Sequence, residues 1–371
     1  FIEEGFDIGV SIFNDYFESE HGDRKNFMQD FTPNSITKLV KELSGKQEDI
    51  ADICAGVGGL SQGLDYQTIY LEELSQRAIP ILLFILAIRN KKAILVNGDS
   101  LTGKRNKIYK LSPSNQYSYI KIVEDIDELQ FDLIVSNPPY SLKWNPKEFN
   151  VDDANFKYPT APKGKADLQF LIAQLNRMKD KGTVIFIYPH GVLFRGSSER
   201  DIREKLIQDN FLDAVISLPE KMFTNTDIPT VILILKKNRG RRDILFINAE
   251  DSCEVVDKRN VFTDEQVKKI VDIYTHRLSV ERFSKVVEYD EIKENDFNLN
   301  IPRYVDTYVP EPVPNLLETL RQYFEIRDDI FQTEEEFLKA LAELEVTSQD
   351  SKEEMDKAKK LIEEHLNEAK T

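Results

Sequence analysis

An open, doubly wound α/β sheet, mostly parallel and seven or eight strands wide, is the fold this 371-residue chain predicts. Three observations carry it. From about residue 30 onward, apolar runs of strand length alternate with helical stretches. Three early strands end in acidic side chains, and a fourth, Phe131 to Ser136, runs into Asn137-Pro138-Pro139-Tyr140. Sheets of this kind bind ligands beyond the carboxyl ends of their strands, so these termini mark the working edge.

Before that alternation, Ile8, Ile12, Phe13, Tyr16 and Phe17 fall at helical spacing, and residues 1–29 read as the end of a larger helical element. Strands are expected near Ile50, Ile69, Leu95, Leu133, Ile185, Val215, Leu233 and Leu245. The apolar run Ile81 to Ile88 is far short of the roughly 20 residues that span a bilayer and reads as a buried helix after Pro80. Leu168 to Met178 predicts an amphipathic helix ending near Lys181-Gly182, followed by a strand from Thr183 to Tyr188. A further helix starts at Ser197, and its Arg200 and Arg203, with Arg195, face either phosphate or the nearby Glu199, Asp201 and Glu204. The basic run around Gly240, from Lys236 to Arg242, reads as a hairpin-like tip. After the linker Pro310 to Pro314, Thr333 to Glu336 and Ser351 to Glu354 read as capping boxes, so at least two helices begin in the segment 310–371.

The chemistry concentrates on the strand ends. Two prolines stiffen the turn after Asn137 and remove N–H donors, which leaves the Asn137 amide oxygen and the Pro138 carbonyl to accept the hydrogens of a planar amino group. Tyr140 offers a face for the ring bearing that group. Upstream, Asp52-Ile53-Cys54-Ala55-Gly56-Val57-Gly58-Gly59-Leu60 is a strand entering a glycine-rich turn, where backbone can approach a ligand closely. About twenty residues on, Glu72-Glu73 ends a second strand, where an acid receives ribose hydroxyls in dinucleotide folds, and Asp99 ends a third.

This order of motifs resembles the S-adenosylmethionine-dependent amino-methyltransferases of DNA, and more narrowly the modification subunit of type I restriction-modification enzymes. Phe31-Thr32-Pro33 resembles the family's Phe-Tyr-Thr-Pro segment before the first strand, although the Tyr is missing and Asp30-Phe31 stands in its place. The stretches Tyr188 to Gly196, Ile216 to Pro219 with Met222-Phe223, Ile228-Pro229-Thr230 and Asn300 to Tyr304 resemble that subunit further downstream. The resemblance implies a methyltransferase sheet and a transfer of the methyl of S-adenosylmethionine to adenine N6 in duplex DNA, with no metal. By it, Phe31, Thr32, Pro33, Asp52, Cys54, Ala55, Gly56, Gly58, Gly59, Leu60, Glu73, Asp99 and Ser100 hold the cofactor, and Asn137, Pro138, Pro139 and Tyr140 hold the flipped base. It also implies a separate specificity subunit, met by the C-terminal helices, and allows a nuclease subunit. Glutamine methyltransferases and ribosomal RNA methyltransferases share Asn-Pro-Pro-Tyr but lack the downstream series; a noncatalytic assembly subunit retaining the fold is the third alternative.

Composition bounds these readings. The net charge of −16 is unfavourable for phosphate contacts, and no base-reading module is evident, so weak DNA binding by the chain alone is expected. The acid is uneven: residues 331–371 hold twelve Asp and Glu against six Lys. The loop from Lys143 to Lys165 carries a small positive excess, interleaved with Trp144, Phe149, Phe156 and Tyr158, which either meet DNA or anchor the loop. Cys54 and Cys253 make no metal spacing and fit a reducing cytosol, so a cytoplasmic protein is expected, with residues 30–309 as its catalytic domain.

Overall fold

The computed structural model describes residues 32–61, 63–148, 157–223, 227–308, 315–343 and 349–369. The helical element expected at 1–29, Phe31, Phe149, Phe156 and the linker Pro310 to Pro314 lie outside them. The described residues divide at Thr307/Tyr308 into two compact units.

The first unit is built on one eleven-stranded sheet. Its strands are β1 (Asp49–Ile53), β2 (Thr68–Glu73), β3 (Lys92–Asp99), β4 (Lys104–Ser112), β5 (Tyr119–Val123), β6 (Phe131–Ser136), β7 (Met178–Pro189), β8 (Leu212–Ser217), β9 (Thr230–Lys236), β10 (Ile244–Asn248) and, beyond a small β11–β12 hairpin (Glu254–Val256, Arg259–Val261), β13 (Ser284–Val287). The spatial order is β13-β10-β8-β9-β7-β6-β1-β2-β3-β4-β5. Only β4, β9 and β13 run against the other eight, so the sheet is mostly parallel.

The eight strands read from the sequence are β1 to β3 and β6 to β10. The extra width comes from an antiparallel meander, β4 and β5, added beside β3, and from β13 at the far edge. The polar sequence of β4, Lys104-Arg105-Asn106-Lys107, conceals its strand character because its outward positions carry the charge while Ile108 and Leu111 are buried.

Alternating strand residues divide the core into two layers, as the period of a pleated strand requires. Ala51, Ile134, Phe186 and Tyr188 face one layer, closed by α3 (Asp167–Ile172), α4 (Ser198–Gln208) and α6 (Tyr289–Glu294). Ile50, Val135, Ile185 and Ile187 face the other, closed by α1 (Asn34–Ser44), α2 (Ala78–Ile88) and α5 (Asp264–His276). The apolar run after Pro80 is thus a helix, although Phe84 on its outer side is half exposed.

Three local expectations are corrected. The helix over Leu168 to Met178 stops at Ile172 and tightens into a 3₁₀ turn at Leu175–Arg177. From Met178 the chain is already in β7, which pairs with Phe131 across a register shift. Lys181-Gly182 lies inside that strand and caps nothing. The basic run is no hairpin tip, because β8, and not β9, pairs with β10. Arg239 folds inward instead, donating from Nε to Asp213 at 3.0 Å and leaving its side chain 4% exposed.

The second unit consists of α7 (Leu316–Glu343) and α8 (Gln349–Ala369). Thr333 begins no helix here: its hydroxyl donates to the Asp329 carbonyl at 2.8 Å, a bond a Thr makes inside a continuing helix. Leu316, Leu317, Leu320, Tyr323, Phe324 and Ile326 on α7 are all exposed. No helix among the described residues is long and apolar enough to cross a membrane.

Candidate active site

The carboxyl ends of β1, β2, β3 and β6 border a single cavity, walled by Asp52, Glu73, Asp99 and Asn137. After β1 the chain reverses through left-handed residues: Cys54 at φ 61°, Gly56 at 58° and Gly58 at 86°. Glycine adopts these angles without steric cost, which is why the turn is built from it. Helix α1 braces the turn from behind, since the Thr37 hydroxyl donates to the Gly59 carbonyl at 3.0 Å. Cys54, Ala55, Gly56, Gly59 and Leu60 line the cavity with Thr32, Ser100 and Pro139, whereas Pro33, Gly58, Pro138 and Tyr140 are not part of its lining.

Glu73 is held in place by the loop it faces. One carboxylate oxygen accepts from the Gly56 amide at 2.7 Å and the other from the Ser75 amide at 2.6 Å. Burial pushes its carboxyl up to about 7, the two amides opposing that shift. Asp52 is likewise raised to about 7 by burial, with Ser61 opposing that shift through hydrogen bonding, and its buried Oδ2 makes no well-formed hydrogen bond at the cavity wall. A buried acceptor of this kind costs free energy until a donor arrives, so Asp52 is suited to a cationic or N–H-bearing ligand. Asp99 is set by a bond from the Leu101 amide at 2.9 Å.

At β6 the tetrapeptide closes on itself. Asn137 donates from Nδ2 to Thr32 Oγ1 at 3.1 Å, and its Oδ1 accepts from the Tyr140 hydroxyl at 2.7 Å. Tyr140 is 8% exposed and meets Phe223 edge-on, with ring centroids 6.3 Å apart. Thr32 therefore touches the tetrapeptide as well as the cavity, a dual position its place before the first strand does not reveal.

Several participants escape sequence reasoning. Leu74, Gly98, Leu142 and Phe170 also line the cavity. Gly98 is there because β4 passes so close that a Cβ would stand 2.6 Å from the Lys104 carbonyl. Asn97, buried behind it, donates to the Glu73 and Leu74 carbonyls at 3.0 Å each and fixes the exit of β2. An amide two residues before an acid at a strand end is the one available signal.

The basic and aromatic groups around the cavity are mostly anchored. Trp144 Nε1 donates to the Pro162 carbonyl within the same loop at 3.0 Å while its ring joins the core, and Tyr158 donates to Asp209 at 2.9 Å, so both aromatics anchor the loop. Arg195 pairs with Asp167 and Glu199, and Arg200 with Glu204 and Asp296. Arg203 donates to the Val192, Arg195 and Phe297 carbonyls. His190 meets the Thr230 carbonyl at 3.1 Å, and burial lowers its pKa, which favours the neutral ring.

Comparison with known proteins places this geometry. The pattern of the N-6 DNA Methylase family matches residues 13–311. The type I restriction enzyme MpnII methylase subunit of Mycoplasma pneumoniae is 31% identical over 298 residues, covering 75% of this chain and 53% of that protein. The HindI methylase subunit of Haemophilus influenzae is 29% identical over 346 residues, covering 84% and 73%. A solved type I restriction-modification methyltransferase subunit from Streptococcus thermophilus superposes with a TM-score of 0.64 at 31% identity, over 76% of this chain and 60% of that one. The chain spans about half the length of several curated relatives it matches.

Proposed function

As the chain belongs to the N-6 DNA methylase family, we propose that it methylates adenine N6 in duplex DNA as the modification subunit of a type I restriction-modification complex. The observation that carries this reading is the shared cavity: Asn137, from the tetrapeptide, and the three strand-end acids Asp52, Glu73 and Asp99 wall one space. The donor set fits S-adenosylmethionine, which supplies an activated methyl on a sulfonium. Asp52, with its buried oxygen, would take the ammonium end against the Cys54 to Leu60 turn; Glu73 would take ribose hydroxyls and Asp99 the adenine. No residue here needs to act as a nucleophile. Asn137 Oδ1 would accept a hydrogen of the target amino group and turn its lone pair toward the methyl, and Tyr140 would stack on the extruded base. When bound, S-adenosylmethionine would supply the methyl to that lone pair, and the surplus amino proton would pass to solvent.

Residues 30–309 would form the catalytic domain. The exposed apolar side of α7 supports a partner role for residues 310–371, with the specificity subunit as the partner and a nuclease subunit in the restriction form. A DNA substrate puts the chain in the cytoplasm. Calorimetry with S-adenosylhomocysteine tests the cofactor half: the parental chain binds, and Glu73→Ala and Gly58→Val each weaken binding at least about tenfold, Val being strained at φ 86°. Methylation of duplex DNA by the complete complex tests the rest, Asn137→Ala abolishing transfer while cofactor binding persists. Binding of a nicotinamide dinucleotide in place of S-adenosylhomocysteine refutes the reading.

A further inference from the structure

The residue after the tetrapeptide, Ser141, stands in the left-handed region at φ 53°, where a non-glycine residue is rarely found without support. Its support is remote in sequence. The Ser141 amide donates to Asp167 Oδ1 at 2.8 Å, and Asp167, the first residue of α3, is wholly buried. The other oxygen of Asp167 accepts from Arg195 Nη2 at 2.8 Å. Arg195 is clamped in turn by Glu199, 2% exposed, through bonds of 2.7 and 2.9 Å. Its own carbonyl is held by Arg203 at 2.8 Å.

Two buried carboxylates thus surround one guanidinium beneath the tetrapeptide. Such clusters add little net stability over a well-packed apolar group, because desolvation offsets their attraction. What they supply is a fixed geometry, and here the backbone group they fix is the Tyr140–Ser141 peptide plane. That plane sets how the Tyr140 ring leaves the chain, and hence the distance between its hydroxyl and Asn137. Of the neighbouring closures, both 3.0 Å, Ala166 N–H to the Leu142 carbonyl joins the loop to the start of α3, and Trp144 N–H to the Lys163 carbonyl closes the loop on itself.

The geometry points to Asp167 as a positioning residue for methyl transfer: held by Arg195 and Glu199, it orients the Tyr140–Ser141 peptide and so the base-stacking ring. This rests on the methyltransferase reading above and adds to it a residue that touches neither cofactor nor base. It also gives a role to the Arg195-containing loop, which the DNA chemistry does not use directly.

The test has two arms. Hydrogen exchange on the full chain, read at the Tyr140, Ser141 and Leu142 amides, shows protection that is lost in Asp167→Ala and retained in Asp167→Asn, whose Oδ1 can still accept from Ser141. Steady-state methylation by the complete complex shows kcat about a hundredfold lower in Asp167→Ala with KM for S-adenosylmethionine within about twofold, and recovery to within about tenfold of parental in Asp167→Asn. Should the alanine variant not fold, Arg195→Lys, which keeps the charge and loses the fork, decides: kcat falls about tenfold with KM unchanged. Parental kcat in folded Asp167→Ala, or in Arg195→Lys where that variant decides, overturns the inference, as does a loss of kcat that asparagine fails to recover. A parental complex inert on DNA refutes the methyltransferase reading instead, and the exchange arm still decides whether Asp167 holds the turn.

Discussion

The Tyr140 hydroxyl donates to the Asn137 side-chain oxygen at 2.7 Å, so the group expected to accept from a target base already accepts from the ring expected to stack on it. Base binding must therefore exchange this bond or share the oxygen's second lone pair. Removing the hydroxyl tests the point. Tyr140→Phe should methylate in single turnover at least as fast as the parental enzyme, while Tyr140→Ala loses about 1–3 kcal/mol of stacking. Rapid-quench rates, with 2-aminopurine fluorescence at the target position reporting base extrusion, distinguish the two variants. A Phe variant as impaired as Ala shows that the hydroxyl itself is needed.

Cofactor affinity should rise with pH. Asp52 and Glu73 both titrate at about 7 in the folded protein, against ordinary values of 3.8 and 4.5, because burial disfavours their charge. Each acid costs the fold nothing while protonated, and its penalty grows as pH rises from its ordinary value through about 7. A ligand that needs both ionised is bound less tightly below that point, by up to about tenfold per pH unit for each acid. Calorimetry with S-adenosylhomocysteine from pH 6 to 8 should show this slope, and Asp52→Asn should flatten it. An affinity that does not change over this range excludes both acids from the linkage.

Asp213 gives a contrast between stability and function. It accepts from Arg239 at 3.0 Å, Arg277 at 3.1 Å and the Tyr274 hydroxyl at 3.0 Å, at the start of β8 and away from the strand ends that border the cavity. Asp213→Ala leaves the Arg239 and Arg277 guanidinium groups sharing the Asp243 carboxylate alone and should cost up to about 3 kcal/mol in urea unfolding. Cofactor affinity of the folded fraction should be unchanged.

Removal of residues 315–371 should leave cofactor binding intact and abolish co-purification with the specificity subunit proposed as its partner. The exposed leucines and aromatics of α7 are the expected contact. Retained co-purification by the truncated form moves the partner surface elsewhere.

The fold was legible where its signals are local. Strand-length apolar runs located eight strands, and Asn137 to Tyr140 and Asp52 to Leu60 stand at strand ends that border one cavity. What could not be read were relationships across long stretches of chain. Asp167 looks like an ordinary helix-start acid until it is seen 26 residues from the amide it holds. Arg239 looks like a solvated loop charge until β8 brings Asp213 beside it. Thr333 with Glu336 satisfies a capping pattern, but the decision between cap and helix interior belongs to the residues before Thr333, which continue the helix unbroken. Propensity fixes local options, and tertiary contacts select among them.

The β4–β5 meander has a consequence for which parts of the protein open. By pairing with β3 along its length, β4 makes the strand that carries Asp99 an interior one, with ladder bonds on both sides. Interior strands exchange their amides only in large openings, whereas loops open at small cost. The wall expected to meet the adenine thus stands at the end of an interior strand, while Tyr140 sits on a segment held by side chains and short closures. Thermal fluctuation should reach the base side of the cavity first, leaving the cofactor side formed while the target side rearranges.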